Sequence, residues 1–123
     1  MAFLNDRVFD NGLTVLDTEA TRIDVTSQEA TTYAEATSTY TLGNSTSLSI
    51  GALADRSGGG RKVAVAAITE GSITGTGTVT HYAITDTTNS RLLATAALTA
   101  SQSVTNGNTF TLATFDIGIP DPT

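Results

Sequence analysis

Threonine fills 25 of the 123 positions, and no other feature constrains the fold of this chain as much. Its branched Cβ restricts χ1 and suits a pleated, half-exposed surface. The only two prolines, Pro120 and Pro122, fall in the last four residues. Thr, Ser and Gly interrupt every window in which an amphipathic helix could run. The expectation is therefore all-β: a single-domain antiparallel β-sandwich or barrel-like fold with little or no helix. Residues 1–12 read as an N-terminal arm or edge strand and 13–123 as one β domain, which the length also favours.

The material for a core is limited. Sixteen alanines make up a third of the apolar residues, and Leu, Ile, Val and Phe together number 28. A core this thin fits an oligomer or a docked module better than a robust monomer.

Strand signals are clearest in the second half. Lys62–Thr69 (KVAVAAIT) follows Gly58-Gly59-Gly60, with Val63 and Val65 on one face and Ile68 on the other. Thr78–Asp86 (TVTHYAITD) and Ser90–Thr99 (SRLLATAALT) flank the polar turn Asp86–Ser90 and predict a hairpin. A second hairpin is predicted between Gln102–Thr105 and Asn108–Phe115 across Asn106-Gly107. Along that last segment Phe110 and Leu112 share one face, while Phe115, Ile117 and Ile119 share the other. Either a β-bulge near Ala113-Thr114 restores register, or both faces are buried. In the first half, Gly12–Asp17 and Arg22–Thr26 alternate like short strands, Ser47–Ile50 reads as a strand, and Thr31–Ala36 is ambiguous between strand and helix.

The chemistry-bearing residues fall into no catalytic pattern. The single histidine, His81, sits mid-strand with no G-x-S-x-G elbow anywhere, so a packing role is expected for it rather than a triad with Asp86. Ser57–Lys62 (SGGGRK) lacks phosphate-loop spacing, and Val63 stands where a magnesium-binding hydroxyl is needed. It reads as a strand connection, with Arg61-Lys62 a solvated loop end. Asp17, Glu19 and Asp24 do not follow a calcium-loop pattern. Paired carboxylates alone leave glycoside hydrolysis open, but a chain with no Trp and three Tyr supplies a sugar-stacking cleft poorly. Zero cysteines remove disulfides and thiolate sites. No catalytic residue, cofactor or metal is expected, and the protein is read as no enzyme.

A net charge of −6 disfavours phosphate-rich partners, so neither nucleic acid nor an anionic membrane surface is expected. The start, Met-Ala-Phe-Leu-Asn-Asp-Arg, has no signal-peptide pattern, which points to synthesis in the cytoplasm and makes the sequon Asn44-Ser-Thr46 a chance match. The candidate contact residues are Phe3, Leu4, Val8 and Phe9, apolar positions at a spacing that is neither clean helix nor clean strand. They read either as an edge strand on the chain's own core or as an arm that docks on a neighbour.

Four stretches carry a family resemblance: Asn5-Asp-Arg-Val-Phe-Asp-Asn-Gly12-Leu, Ser27-Gln-Glu, Gly77-Thr-Val-Thr-His-Tyr-Ala-Ile-Thr-Asp86 followed by Arg91-Leu-Leu-Ala, and Asn108-Thr-Phe-Thr-Leu with Phe115-Asp-Ile. Through them most of the chain resembles small structural proteins of tailed bacteriophages that infect alphaproteobacteria. These are packing patterns, so the resemblance implies a virion component and brings no catalytic residue with it. Among virion roles, a capsid decoration (cement) protein that bridges major capsid subunits fits the size and acidity, and a tail or fibre-base component is the rival. A homo-oligomer is expected, with a trimer the first choice because cement proteins often sit on threefold positions. A carbohydrate-binding or adhesin module is the reading from another class.

Overall fold

The computed structural model describes residues 5–121. Strands make up 52% of it and helix 17%, in two curled antiparallel sheets, so the chain is all-β with little helix. The elements run α1 (Asp6–Glu19), β1 (Arg22–Thr26), a short π-helix (Glu35–Thr39), β2 (Thr41–Ser45), β3 (Ile50–Asp55), β4 (Arg61–Val65), β5 (Ile68–Ile73), β6 (Gly77–Asp86), β7 (Arg91–Val104), β8 (Thr109–Leu112) and β9 (Phe115–Ile119). They fall into two compact units, each assembled from separated stretches: residues 1–19, 49–67 and 113–123 in the first, 20–48 and 68–112 in the second.

The first unit is a three-stranded sheet, β3-β4-β9, with α1 packed on it. This helix corrects the strand expected over Gly12–Asp17 and the edge strand expected before it. Leu13 and Val15 looked like alternation, but Phe9, Leu13 and Leu16 form an i, i+4, i+7 stripe, and all three are buried. Asn5 caps the start, its Oδ1 accepting from the Arg7 N–H at 2.9 Å. The threonines that argued against a helix fit inside it, because Thr14 and Thr18 donate their hydroxyls to the carbonyls four residues back. Helix α1 packs against β4, whose Val63 and Val65 are also buried, and each such side chain contributes about 1.5–3 kcal/mol. Arg61 fixes the helix from the side: its Nε bonds Asp10 at 2.9 Å and its Nη1 bonds Asp55 of β3 at 2.6 Å.

The second unit is a six-stranded sheet in the order β7-β6-β1-β2-β5-β8. Its register carries one apolar face across neighbours. Ile23 pairs with Ile84, Val25 with Tyr82 and Gly43, Gly43 with Ile73, and Gly71 with Phe110. Two glycines let that face curl. A Cβ at Gly71 would lie 2.2 Å from the Phe110 ring, and one at Gly43 would lie 2.6 Å from the Ser72 carbonyl oxygen. Elsewhere the opposite face of β1 is covered by the Ser27–Tyr40 stretch. There Ala30, Ala36 and Ala83 form a small buried cluster with Tyr40 and Leu92 against it. Strand β1 is thus buried on both sides from Ile23 to Thr26.

The hairpin at Asp86–Ser90 forms as expected, with Asp86 opposite Arg91. The one at Asn106-Gly107 does not. The turn is there, Gly107 taking a positive φ of 94°, but β8 pairs with β5 and β7 with β6. The two strands lie at opposite ends of the sheet order, so the turn joins the two edges of one curled sheet. The changes of face at Val65/Ile68 and Leu112/Phe115 are strand breaks rather than bulges. At Ala66-Ala67 and Ala113-Thr114 the chain leaves one sheet for the other. Ser47–Ile50 is likewise a connection between β2 and β3 for most of its length.

Candidate functional site

The polar side chains within the two units are organised as struts. Asp24 is fully buried, with 0% of its side chain exposed. Strand alternation puts Arg22 on the same face of β1, where its Nε donates to Asp24 Oδ1 at 2.7 Å and its Nη2 to Oδ2 at 2.8 Å, a bidentate pair. The Thr41 hydroxyl of β2 donates to Oδ2 at 2.6 Å, and the same Arg22 Nη2 reaches the Thr37 carbonyl in the π-helix at 3.5 Å. One carboxylate therefore ties β1, β2 and the covering segment together. The hydrogen bond to Asp24 holds the Arg22 guanidinium above its ordinary pKa.

Two further carboxylates shape turns. Asp86, 2% exposed, accepts from the Thr88 and Asn89 N–H groups at 2.9 and 3.3 Å and from Asn89 Nδ2 at 2.8 Å. The Asn89 side-chain bond foremost keeps Asp86 below the usual carboxylate range. Glu35 accepts from the Thr31 hydroxyl at 2.7 Å and the Thr31 N–H at 2.9 Å, and the hydroxyl bond foremost lowers its pKa. Its hydrogen bond to Tyr40 raises the phenol in turn. Burial pushes the Tyr82 phenol up.

The residues singled out from the sequence land as follows. His81 lies half-buried in β6, its Nδ1 2.8 Å from the Thr80 hydroxyl, and its carbonyl accepts from Thr26 at 3.4 Å. It projects from the face of β6 opposite to Asp86, whose carboxylate is engaged in the turn. The Gly58–Gly60 loop is the β3–β4 connection, all three glycines at positive φ, closed by the Arg56 N–H donating to the Gly60 carbonyl at 3.0 Å. Arg61 and Lys62 are not a solvated loop end. Arg61 is held by Asp10 and Asp55, and Lys62 Nζ pairs with Asp116 of β9 at 2.9 Å. On α1, Asp17 stands exposed and Glu19 is half-buried. Among the described residues no three His, Cys, Asp or Glu side chains cluster as metal ligands would. Among them, too, no helix is long and apolar enough to cross a membrane.

Of the four candidate contact residues, Phe3 and Leu4 lie outside the described residues. Val8 falls within α1, its side chain outside what is described. Phe9 is 1% exposed and belongs to the core of the first unit, because the helix turns it inward with Leu13 and Leu16. It is a core residue rather than a contact residue. Among the described residues, Val15 on the same helix is a large apolar side chain left 38% exposed. An alternating reading of this segment had no means of separating it from Leu13.

Shallow polar depressions lie among the described residues. One, of about 230 Å³, lies between the end of β7 and β8 and is lined by Gln102–Thr105, Asn108–Thr111 and Ile73. Another, of about 220 Å³, lies beside Arg56, Ser57, Lys62, Asp116 and Gly118. Both are smaller than the 300–1,000 Å³ typical of small-molecule sites. The features that stand out are instead the sheet edges, β7 and β8 on one sheet and β3 and β9 on the other.

No family model matches the chain, and neither the curated proteins nor the solved structures contain a match to it.

Proposed function

We propose that the chain is a non-enzymatic virion structural protein, a capsid decoration or cement protein that bridges major capsid subunits as a homo-oligomer. Its family resemblance is the source of this reading, and one structural observation supports it most. The buried and half-buried carboxylates bond within the fold: Asp24 to Arg22 and Thr41, Asp10 to Arg61, Asp86 to its own turn. Such a layout serves rigidity. A protein that holds a shell together needs an unyielding scaffold and many modest contacts that add through multivalency. The net charge of −6 keeps copies apart until a specific surface engages.

The test is direct. Particles of a tailed phage that encodes this chain are purified, examined by mass spectrometry and labelled with an antibody for electron microscopy. The proposal expects many copies on the head surface, and heads lacking the protein that break at lower temperature. Label confined to the tail replaces it with the tail reading. Absence of the chain from particles overturns the virion role.

A further inference from the structure

We propose that β7 is the self-association edge, and that two copies of the chain pair antiparallel along Ala94–Ala97 to form one continuous twelve-stranded sheet. This rests on the homo-oligomer part of the function proposed above and is independent of the virion part.

Every open sheet has edges whose backbone N–H and C=O groups are free to pair, and native proteins guard them with short length, charge, proline or bulges. Three of the four edges here are guarded. Strand β8 has four residues. Strand β9 carries Asp116 and runs into Pro120. Strand β3 ends on Asp55 and is irregular against β4 between Ile50 and Leu53. Strand β7 is different: it runs for 14 residues with no proline and, after Arg91, no charge.

Its guard is partial. Leu93 is an extra residue against β6, and the four residues from Leu98 to Ser101 stand opposite Thr80 alone. Beyond that bulge the end of β7 faces its own chain, because Gln102–Val104 line the depression shared with β8. Between the two irregularities lies a regular stretch, Ala94-Thr95-Ala96-Ala97, paired to Ile84-Ala83-Tyr82-His81 on its inner side. At about 3.3 Å per residue it offers roughly 13 Å of ladder.

The occupant follows from charge and shape. Two copies at −6 each repel, so they meet where charge is absent, and Leu92–Phe115 is the longest stretch of the sequence without a charged residue. Small side chains let two backbones approach, and three of the four residues here are alanine, with Ala96 and Ala97 exposed. A strand opposed to its own copy about a two-fold axis is self-complementary, which is what a closed homodimer requires.

Because the chain has no cysteine, the test is clean. The full chain is measured by light scattering and sedimentation at tens of micromolar, and a dimer is expected. Single cysteines placed in turn at Ala94, Thr95, Ala96 and Ala97 should cross-link on oxidation at one or two positions near the axis, and a cysteine at Thr88 should not. Ala96→Lys should weaken the dimer about tenfold by setting like charges in the ladder. Mixing Ala96→Lys with Ala96→Glu should restore a dimer of one copy of each, which shows that both variants fold. A monomer or a trimer overturns the proposal. So does a dimer that ignores Ala96→Lys or cross-links only at the control. None of these readouts uses a particle, so a virion role that failed would leave the result standing.

Discussion

Replacing Asp24 by alanine tests whether the interior of the larger unit is held by the buried charge pair of Arg22 and Asp24. The substitution removes the acceptor of three charge-assisted hydrogen bonds, two from Arg22 and one from Thr41. Each is worth about 1.5–3 kcal/mol when both partners are buried. Two facts reduce the sum. The Arg22 side chain keeps 23% of its surface in water and recovers part of its solvation. The Thr41 hydroxyl retains a second acceptor, the Gly43 carbonyl at 3.1 Å. A loss of about 3 kcal/mol remains, the lower end for a buried pair broken on one side. For a chain of this length that lowers Tm by roughly 10 °C.

The measurement is urea and thermal unfolding by circular dichroism, with Arg22→Met and the Arg22→Met/Asp24→Ala double variant alongside. If the strut operates as a unit, the double variant is little worse than Asp24→Ala, and the cycle shows a coupling of about 1–2 kcal/mol. A loss below about 1 kcal/mol for Asp24→Ala, or strictly additive singles, would refute this account of the interior.

Further outcomes follow from other places in the fold. Gly71→Ala sets a methyl 2.2 Å from the Phe110 ring, itself 6% exposed, and should cost about 1–3 kcal/mol in the same urea assay. Ser90 holds a φ of 54° at the end of the β6–β7 turn, so Ser90→Gly should raise stability by about 0.5 kcal/mol, seen as a higher Tm. Asp86 and Glu35 have lower pKa values folded than unfolded, so the unfolded chain binds more protons in acid. Their contribution is full above about pH 5 and falls as pH drops through about 4 and below, read as a declining urea midpoint between pH 6 and 3. Asp86→Asn should flatten that decline. His81→Gln should shift stability by no more than about 1 kcal/mol and leave particle binding intact.

How far the sequence revealed this structure can be argued residue by residue. The threonine-rich, proline-poor pattern led correctly to an all-β fold, and the β6–β7 hairpin was legible because alternation flanked a turn of Asp, Thr and Asn. Helix α1 was hidden because Leu13, Val15 and Thr14 between them fit a period of two, and only Phe9 and Leu16 favour the helical period. The pairing of β8 was hidden for another reason. Asn106-Gly107 specifies a turn, but which strand lies beside β8 is set by long-range pairing with β5. The struts were the least legible. Arg22 and Asp24 two apart announce a shared face, whereas Arg61 with Asp10 spans 51 residues and leaves no local trace.

The clearest sequence signal of the two-unit layout was one that could be read as a defect. At Val65/Ile68 and again at Leu112/Phe115 the buried face changes parity, and a single sheet can absorb that only with a bulge. Both changes mark places where the chain passes from one unit to the other, and two more passages lie after Glu19 and after Leu48. The N-terminal stretch therefore belongs to a unit completed only by residues 49–67 and 113–123. A truncation through Asp10 would remove buried Phe9 and one of the two anchors of Arg61, so any loss of particle binding it caused would report unfolding. Deleting Met1–Leu4 is the informative experiment for a docking arm. It leaves Asn5 to cap α1, and a normal melt with lost binding would assign the contact to Phe3 and Leu4.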